Sequence, residues 1–351
     1  MSATIRDVAK KARVAQSTAS LVINDRPNVN PETKERVLQA IRELDYHPRR
    51  HARALASQKT GNLGFILTDD HFSRAEPFYT KIFLGTEFES RKYNYYILLT
   101  TVPSTFRLET DLPRFLLERN VDGVMLAGRV PAALTEHLRS AKIPHVYIDY
   151  SPRHDHSNAV MMDSLLGASL AVRHLIELGH RRIAFIGGDL SHPSIAKRFE
   201  GYQQALQEAG LPATEDLVES RESYTATEDG YRAAEKLLRR GVEFTAIFAA
   251  NDAMAIGAMQ CLQHGGRQIP AEISVVGFDD VEAGTHTQPQ LTTVRVDKEE
   301  LGAVASRRLV EMIETKKEFH GKVYTPVELV VRQSTAPPAL RAAPLIIQGM
   351  G

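Results

Sequence analysis

The chain of 351 residues holds one cysteine, no tryptophan and no long apolar run. A lone Cys261 excludes an internal disulfide framework and fits a reducing compartment. Crossing a bilayer takes about 18 or more consecutive apolar residues, and residues 1–11 are too polar for a secretory signal. A Walker-type phosphate loop, a nucleophile elbow and a metal-ligand motif are missing as well. The pair Gly187 and Gly188 is too little for a dinucleotide fingerprint. These absences leave nothing to support catalysis, and the expectation is a cytoplasmic protein with no metal, no cofactor and no membrane association.

Net charge is absent too, but only in the sum of 43 basic and 43 acidic residues. Residues 1–60 hold 12 lysines and arginines against 6 acidic residues, a net +6, and the remainder carries −6. A basic head supplies the salt-sensitive attraction to phosphate that nucleic-acid binding needs. The length suggests two or three domains, each large enough for its own core.

Within the head, residues 4–24 organise the rest. Ile5, Val8, Ala9 and Ala12 recur at helical spacing, and after a break at residues 13–15 a second set follows at Ala19, Val22 and Ile23. Thr4 can cap the first helix with Asp7 as an acidic capping-box partner. Gln16, Ser17 and Leu21 are left facing outward on the second helix, the element that enters the major groove in a helix-turn-helix. Asn30 and Pro31 then start a third helix, whose Val37, Ile41 and Leu44 close a small core. Residues 48–56, PRRHARALA, have helical composition but are too short to hold a helix alone.

From Gly61 strands and helices alternate. Strand runs are expected at 63–67, 95–99, 123–126, 145–148, 183–186, 246–249, 273–276 and 291–296. Helices are expected near 82–92, 111–119, 164–178, 196–209, 228–239, 252–263 and 299–313. The pattern predicts doubly wound parallel sheets, two rather than one at this length. Ligands in such folds bind beyond the carboxyl ends of strands. Asp69, Asp70, Asp149, Asn251, Asp252, Asp279 and Asp280 stand there, and any one of them could be only a cap or turn former. The adjacent Asn251 and Asp252 best suit vicinal hydroxyls, and Tyr224 or Phe78 could cover an apolar face.

Taken together, the chain resembles the lactose-repressor family of bacterial transcription regulators, from about Thr4 to Thr335. The head carries Asp7, Val8, Ala9, Ala12, Val14, Thr18, Ser20, Val22, Asn24, Val29, Thr33, Val37, Leu44, Tyr46 and Pro48; Ala52, Arg53 and Leu55 match the hinge. The body adds Phe78–Tyr79, Gly179–His180, Arg198 with Gly201 and Tyr202, Asn251–Asp252, Val276 to Asp279, and Pro289 with 291–294. The resemblance implies a dimeric repressor of a palindromic operator, with a periplasmic-binding-protein-like core whose chain crosses three times between two subdomains. The boundaries it suggests are a helix-turn-helix domain at 1–47, a hinge and linker at 48–60, a core at 61–335 and a tail at 336–351. Within the core, the first subdomain would take about 61–160 plus 291–320 and the second about 161–290 plus 321–335.

The same resemblance places DNA contact on Thr4, Arg6, Gln16, Ser17, Thr18, Leu21, Asn24, Tyr46, Arg53 and Leu55, the last as a minor-groove wedge. It places effector contact on Phe78, Tyr79, His192, Ser194, Arg198, Tyr224, Asn251 and Asp252, with a sugar-like ligand favoured. Four positions depart from the family pattern: Arg13 for the turn glycine or asparagine, Ala15 for the cap serine, Leu21 for a frequent arginine or histidine, and Arg49 for the asparagine after the hinge proline. If the turn is still left-handed, Arg13 costs about 1 kcal/mol, and Ala15 forgoes a cap worth ~1 kcal/mol. The competing readings are a regulator dependent on a corepressor or partner protein and, from another class, a cytoplasmic sugar-binding receptor or enzyme. The tail has no heptads to form a coiled coil.

Overall fold

The computed structural model describes residues 3–23, 29–46, 59–69, 78–152 and 158–339. The chain divides into two units, one of residues 1–62 with 115–122 and one of the rest.

In the head, α1 (Ile5–Ala12) starts where the Asp7 carboxylate accepts from the Thr4 backbone N–H at 2.8 Å and from its hydroxyl at 2.7 Å. Those bonds hold the Asp7 carboxyl below its ordinary pKa. The helix ends at Arg13, whose φ of 54° and ψ of 50° are left-handed. The turn thus keeps the backbone a glycine would take freely, and the arginine there costs about 1 kcal/mol. Ala15 begins α2 (Gln16–Ile23) with its carbonyl alone, accepting from Ala19 N–H at 3.0 Å. By contrast α3 (Pro31–Glu43) is fully signalled: the Asn30 side chain accepts from Glu32 N–H at 2.9 Å, and Pro31 opens the helix. Val8, Ala9, Ala12, Ala19, Val22, Val37, Ala40 and Tyr46 form the core of the three helices.

The body contains two six-stranded sheets among the described residues. The first takes β1 (Asn62–Thr68), β2 (Tyr96–Val102), β3 (Gly123–Ala127), β4 (His145–Ile148) and β5 (Ala159–Met162). The second takes β6 (Ile183–Ile186), β7 (Val218–Glu219), β8 (Ala246–Ala249), β9 (Ser274–Asp279) and β10 (Thr292–Val296). Then β11 (Lys322–Thr325) returns to the first sheet and β12 (Val327–Val330) to the second. The orders are β11-β5-β4-β3-β1-β2 and β12-β10-β9-β8-β6-β7. Every register described is parallel except β10 with β12.

Helices α4 (Phe78–Lys92), α5 (Ala132–Ser140) and α10 (Lys298–Thr315) belong with the first sheet. With the second go α6 (Ser164–Glu177), α7 (Pro193–Glu208), α8 (Thr227–Arg239) and α9 (Asp252–His264). The α4–α10 crossing is backbone-close, since a Cβ on Gly302 would stand 2.0 Å from the Ile82 carbonyl oxygen. The chain crosses between sheets three times, at Asp163, Asp297 and Pro326. Two expected boundaries are corrected by this. Residues 291–296 belong to the second sheet, because Thr292–Arg295 register with Val276–Asp279 of β9. Residues 322–325 belong to the first, because Lys322–Thr325 register with Ala159–Met162 of β5. Neither four- to five-residue run announces its neighbour; pairing decides it.

Candidate functional site

On the head, Gln16, Ser17 and Leu21 lie on the outward face of α2, and Leu21 is 42% exposed although apolar. Thr18 is half-buried beside them, while Thr4 and Arg6 are exposed at the start of α1. Tyr46 is different: it is 7% exposed, its ring committed to the head core, so little of it is left to meet DNA. Asn24, Arg53, Leu55 and the hinge at 48–58 lie outside the described residues.

In the body, a cavity of about 680 Å³ opens at the carboxyl ends of the strands of both sheets. From the first sheet come Thr68 at the end of β1, Arg129 after β3, and Asp149 and Tyr150 after β4, with Phe78 and Tyr79 from α4. From the second come Asp189 after β6, His192, Ser194 and Arg198 around the start of α7, Tyr224 and Thr225 before α8, Asn251 after β8 and Asp279 at the end of β9. Of the eight residues expected to touch an effector, Phe78, Tyr79, His192, Ser194, Arg198, Tyr224 and Asn251 are brought together here.

Asp252 is not in the wall. It is fully buried behind it, accepting from Val281 N–H at 2.8 Å and from the Thr293 hydroxyl, and burial pushes its carboxyl well above the ordinary range. Its job is to tie the start of α9 to β10 and the loop after β9. Unlike Asp252, Asp279 does reach the cavity, held by Arg198 Nη2 at 3.1 Å. Burial raises the Asp279 pKa against the pull of Arg198 and Lys298. Arg198 also donates to the Ala250 carbonyl and lies 3.8 Å over the Phe278 ring. Asn251 does double duty, its Oδ1 capping α9 through Met254 N–H at 2.9 Å and its Nδ2 donating to the Thr225 carbonyl at 3.0 Å.

The two walls are stitched to each other. Asp149, left-handed at φ 59°, accepts from Ser194 Oγ across the cleft at 2.6 Å and from Tyr79 on its own side at 3.2 Å. Arg129 donates to Ser191 Oγ at 3.0 Å and stands 3.4 Å from the Asp189 carboxylate. In the sequence Asp149 stands out only as a strand-end residue and Asp279 as a strand-end residue within the family motif, neither assigned to the effector, and Arg129 and Asp189 carry no signal. Their partners lie 45 to 81 residues away in the chain.

Comparison with known proteins agrees with this division into head and cleft. Residues 4–49 match the profile of bacterial regulatory proteins of the lacI family, and 172–335 match a periplasmic binding protein-like domain. The chain is 35% identical over 334 residues to the HTH-type transcriptional repressor PurR of Pasteurella multocida strain Pm70, covering 95% of this chain and 98% of that one. Among solved structures, the lac repressor dimer bound to operator and the anti-inducer ONPF is 28% identical with a TM-score of 0.80, covering 96% of this chain and 100% of that one. A complex of the transcriptional regulator CelR with cellobiose is 32% identical with a TM-score of 0.73, covering 95% and 99%.

Proposed function

The chain belongs to the lacI family of bacterial regulatory proteins, and from that premise we propose a cytoplasmic repressor whose homodimer binds a near-palindromic operator under the control of a sugar-like effector. The observation that carries the DNA side is the free outer face of α2, where Gln16, Ser17 and Leu21 stand exposed on a basic head. Gln16 and Ser17 suit base edges or phosphates, and Leu21, with no hydrogen bond to give, suits a thymine methyl. The effector side is supported by the cavity at the strand ends and by the relative solved with cellobiose. Dimerisation is supported by an apolar set on one edge of the first sheet: Leu84 and Phe88 on α4, and Tyr96 and Leu99 on the outer strand β2, are 39–60% exposed. Two-fold symmetry of the dimer then gives two half-sites.

The effector acts by changing how the two walls meet, since a ligand in the cavity bears on the groups that Asp149 and Arg129 use to join them. Selection from a palindromic DNA library with the full chain and with Leu55→Ala tests the DNA reading. Selected palindromes whose central step depends on Leu55 support it; equal, purely salt-sensitive binding by both proteins sinks it. Adding candidate sugars to the selected site then gives the sign of control, weakened binding for an inducer and strengthened binding for a corepressor.

A further inference from the structure

Lys298 is the first residue of α10, placed directly after the crossing at Asp297, and its side chain does not lead out to water: it is 5% exposed. Buried lysines are rare unless paired with an opposite charge, and the start of a helix is the wrong end of the dipole for a cation. Among the described residues Lys298 bonds no carboxylate. Its ammonium donates instead to three backbone carbonyls, that of Asp279 and, at 3.4 Å each, those of Asp280 and Val296. Val296 is a neighbour in the chain. Asp279 and Asp280 lie 19 and 18 residues back, at the end of β9 in the other sheet. The ammonium also stands over Phe78 at the start of α4, 5.9 Å from the ring centre.

The two carbonyls that Lys298 takes from β9 belong to a turn that needs holding. Asp279 and Asp280 have φ values of 112° and 51°, consecutive left-handed positions without a glycine. A backbone placed so persists only where its surroundings fix it. The second lobe fixes one side chain, since Asp280 accepts from Arg295 Nε at 2.7 Å and from Arg332 Nη2 at 2.5 Å. The first lobe grips the backbone through Lys298. This conformation sets the Asp279 carboxylate against Arg198 Nη2 in the cavity wall. The helix that carries Lys298 is itself tied down, because Gly85 and Gly302 bring the backbones of α4 and α10 together. We propose that Lys298 is a positioning residue: from the first lobe it fixes the Asp279–Asp280 turn of the second, so the Asp279–Arg198 pair holds only while the start of α10 is in place. The assignment stands whichever ligand enters the cavity; only its use, making the wall answer to α10, rests on the regulator reading.

The test reads the Nε–H resonance of Arg198 by magnetic resonance in the full chain with isotope-labelled arginine, assigned by its loss in Arg198→Lys. That nitrogen is buried without a hydrogen-bond partner among the described residues, so its shift and its exchange with water report how the guanidinium is seated. Lys298→Met keeps the reach of the side chain and removes the donor. The Arg198 signal should then move and exchange at least about tenfold faster. Leu309→Ala truncates the core further along α10 and controls for lost stability; it should leave the signal in place. Lys298→Gln, a shorter neutral donor, should fall between the wild type and Lys298→Met, and it decides the matter if the methionine variant does not fold. A folded Lys298→Met or Lys298→Gln with the wild-type signal overturns the assignment, as does an equal change in Leu309→Ala. Operator selection with the wild-type chain separates the two levels: a chain that selects no palindrome takes down the regulator reading and leaves the Arg198 result standing.

Discussion

Gln16, Ser17 and Leu21 stand out in solvent on α2, whereas Arg198, Asp279 and Asp149 are 3–6% exposed and bonded to protein groups. Both sets are proposed to meet a partner, yet the fold treats them oppositely. The head leaves its readers unencumbered and accepts local imperfections near them, a left-handed arginine and an uncapped helix. The cleft assembles its polar groups in advance, so their positions are set by one another and a ligand meets an organised wall. Recognition in the head should therefore be separable from stability, and in the cleft the two should be entangled.

Removing Arg198 gives the largest expected effect. Arg198→Ala leaves Asp279 without its guanidinium and the Ala250 carbonyl without its donor, and should lower stability by about 3–5 kcal/mol in urea unfolding. Leu21→Ala, tested alongside, should stay within about 0.5 kcal/mol while changing the selected operator. Equal urea midpoints for the two variants would dissolve the contrast. Next comes Asp252→Ala, which frees Val281 N–H and the Thr293 hydroxyl in a buried setting and should cost about 1–3 kcal/mol. Because Asp252 lies behind the wall, its effect on sugar affinity should be smaller than that of His192→Ala.

In the head the expected sign reverses. Arg13→Gly should relieve the left-handed backbone and add about 1 kcal/mol, and Ala15→Ser should restore a cap worth about 1 kcal/mol. Hydrogen exchange at α1 and α2 amides in the full chain is the readout; unchanged protection in both variants would mean that neither feature limits the head.

The smallest effect is a pH dependence beside the second sheet. His180 bonds Thr245, Ser274 and the Ala336 carbonyl, and His174 bonds Thr335. Burial lowers both imidazole pKa values in the fold. The neutral forms are the folded ones, so their contribution is complete above the unfolded value of about 6.5 and is lost as pH falls through the folded values. The urea midpoint should drop between pH 7.5 and 5.5, and the drop should shrink in His174→Gln with His180→Gln. An identical pH slope in that double variant would exclude these histidines as its source.

Much of the fold was legible because it depends on local chemistry. The spacing from Ile5 to Ile23, the Asn30–Pro31 start and the apolar runs of the central strands each carry their own signal. Strands β5, β7, β11 and β12, of two to four residues, do not, and exist because an edge was there to receive them. The cleft divides the same way. Arg198 and Asn251 sit at positions whose type and neighbours were distinctive in sequence. Asp252 and Asp279 were both strand-end acids, and only the packing of α9 against β9 decides which one is covered and which faces the cavity. Tyr46 was legible as a head residue but not as a buried one.

The three crossings between sheets bear on how the protein is made. Synthesis delivers β1 through β5 and α4 early, but the first sheet still lacks its outer strand β11, and α4 lacks α10, until the chain has been extended through Thr325. From Met162 to Thr325 is roughly 160 further residues, or about 10–30 s of elongation at 5–20 residues per second. Throughout that interval the nascent first lobe exposes the free edge of β5 and the face of α4 around Gly85. The second lobe waits for its own outer strand β12 only while α10 and β11 are made, so the half of the body that leaves the ribosome first waits longest for its last strand.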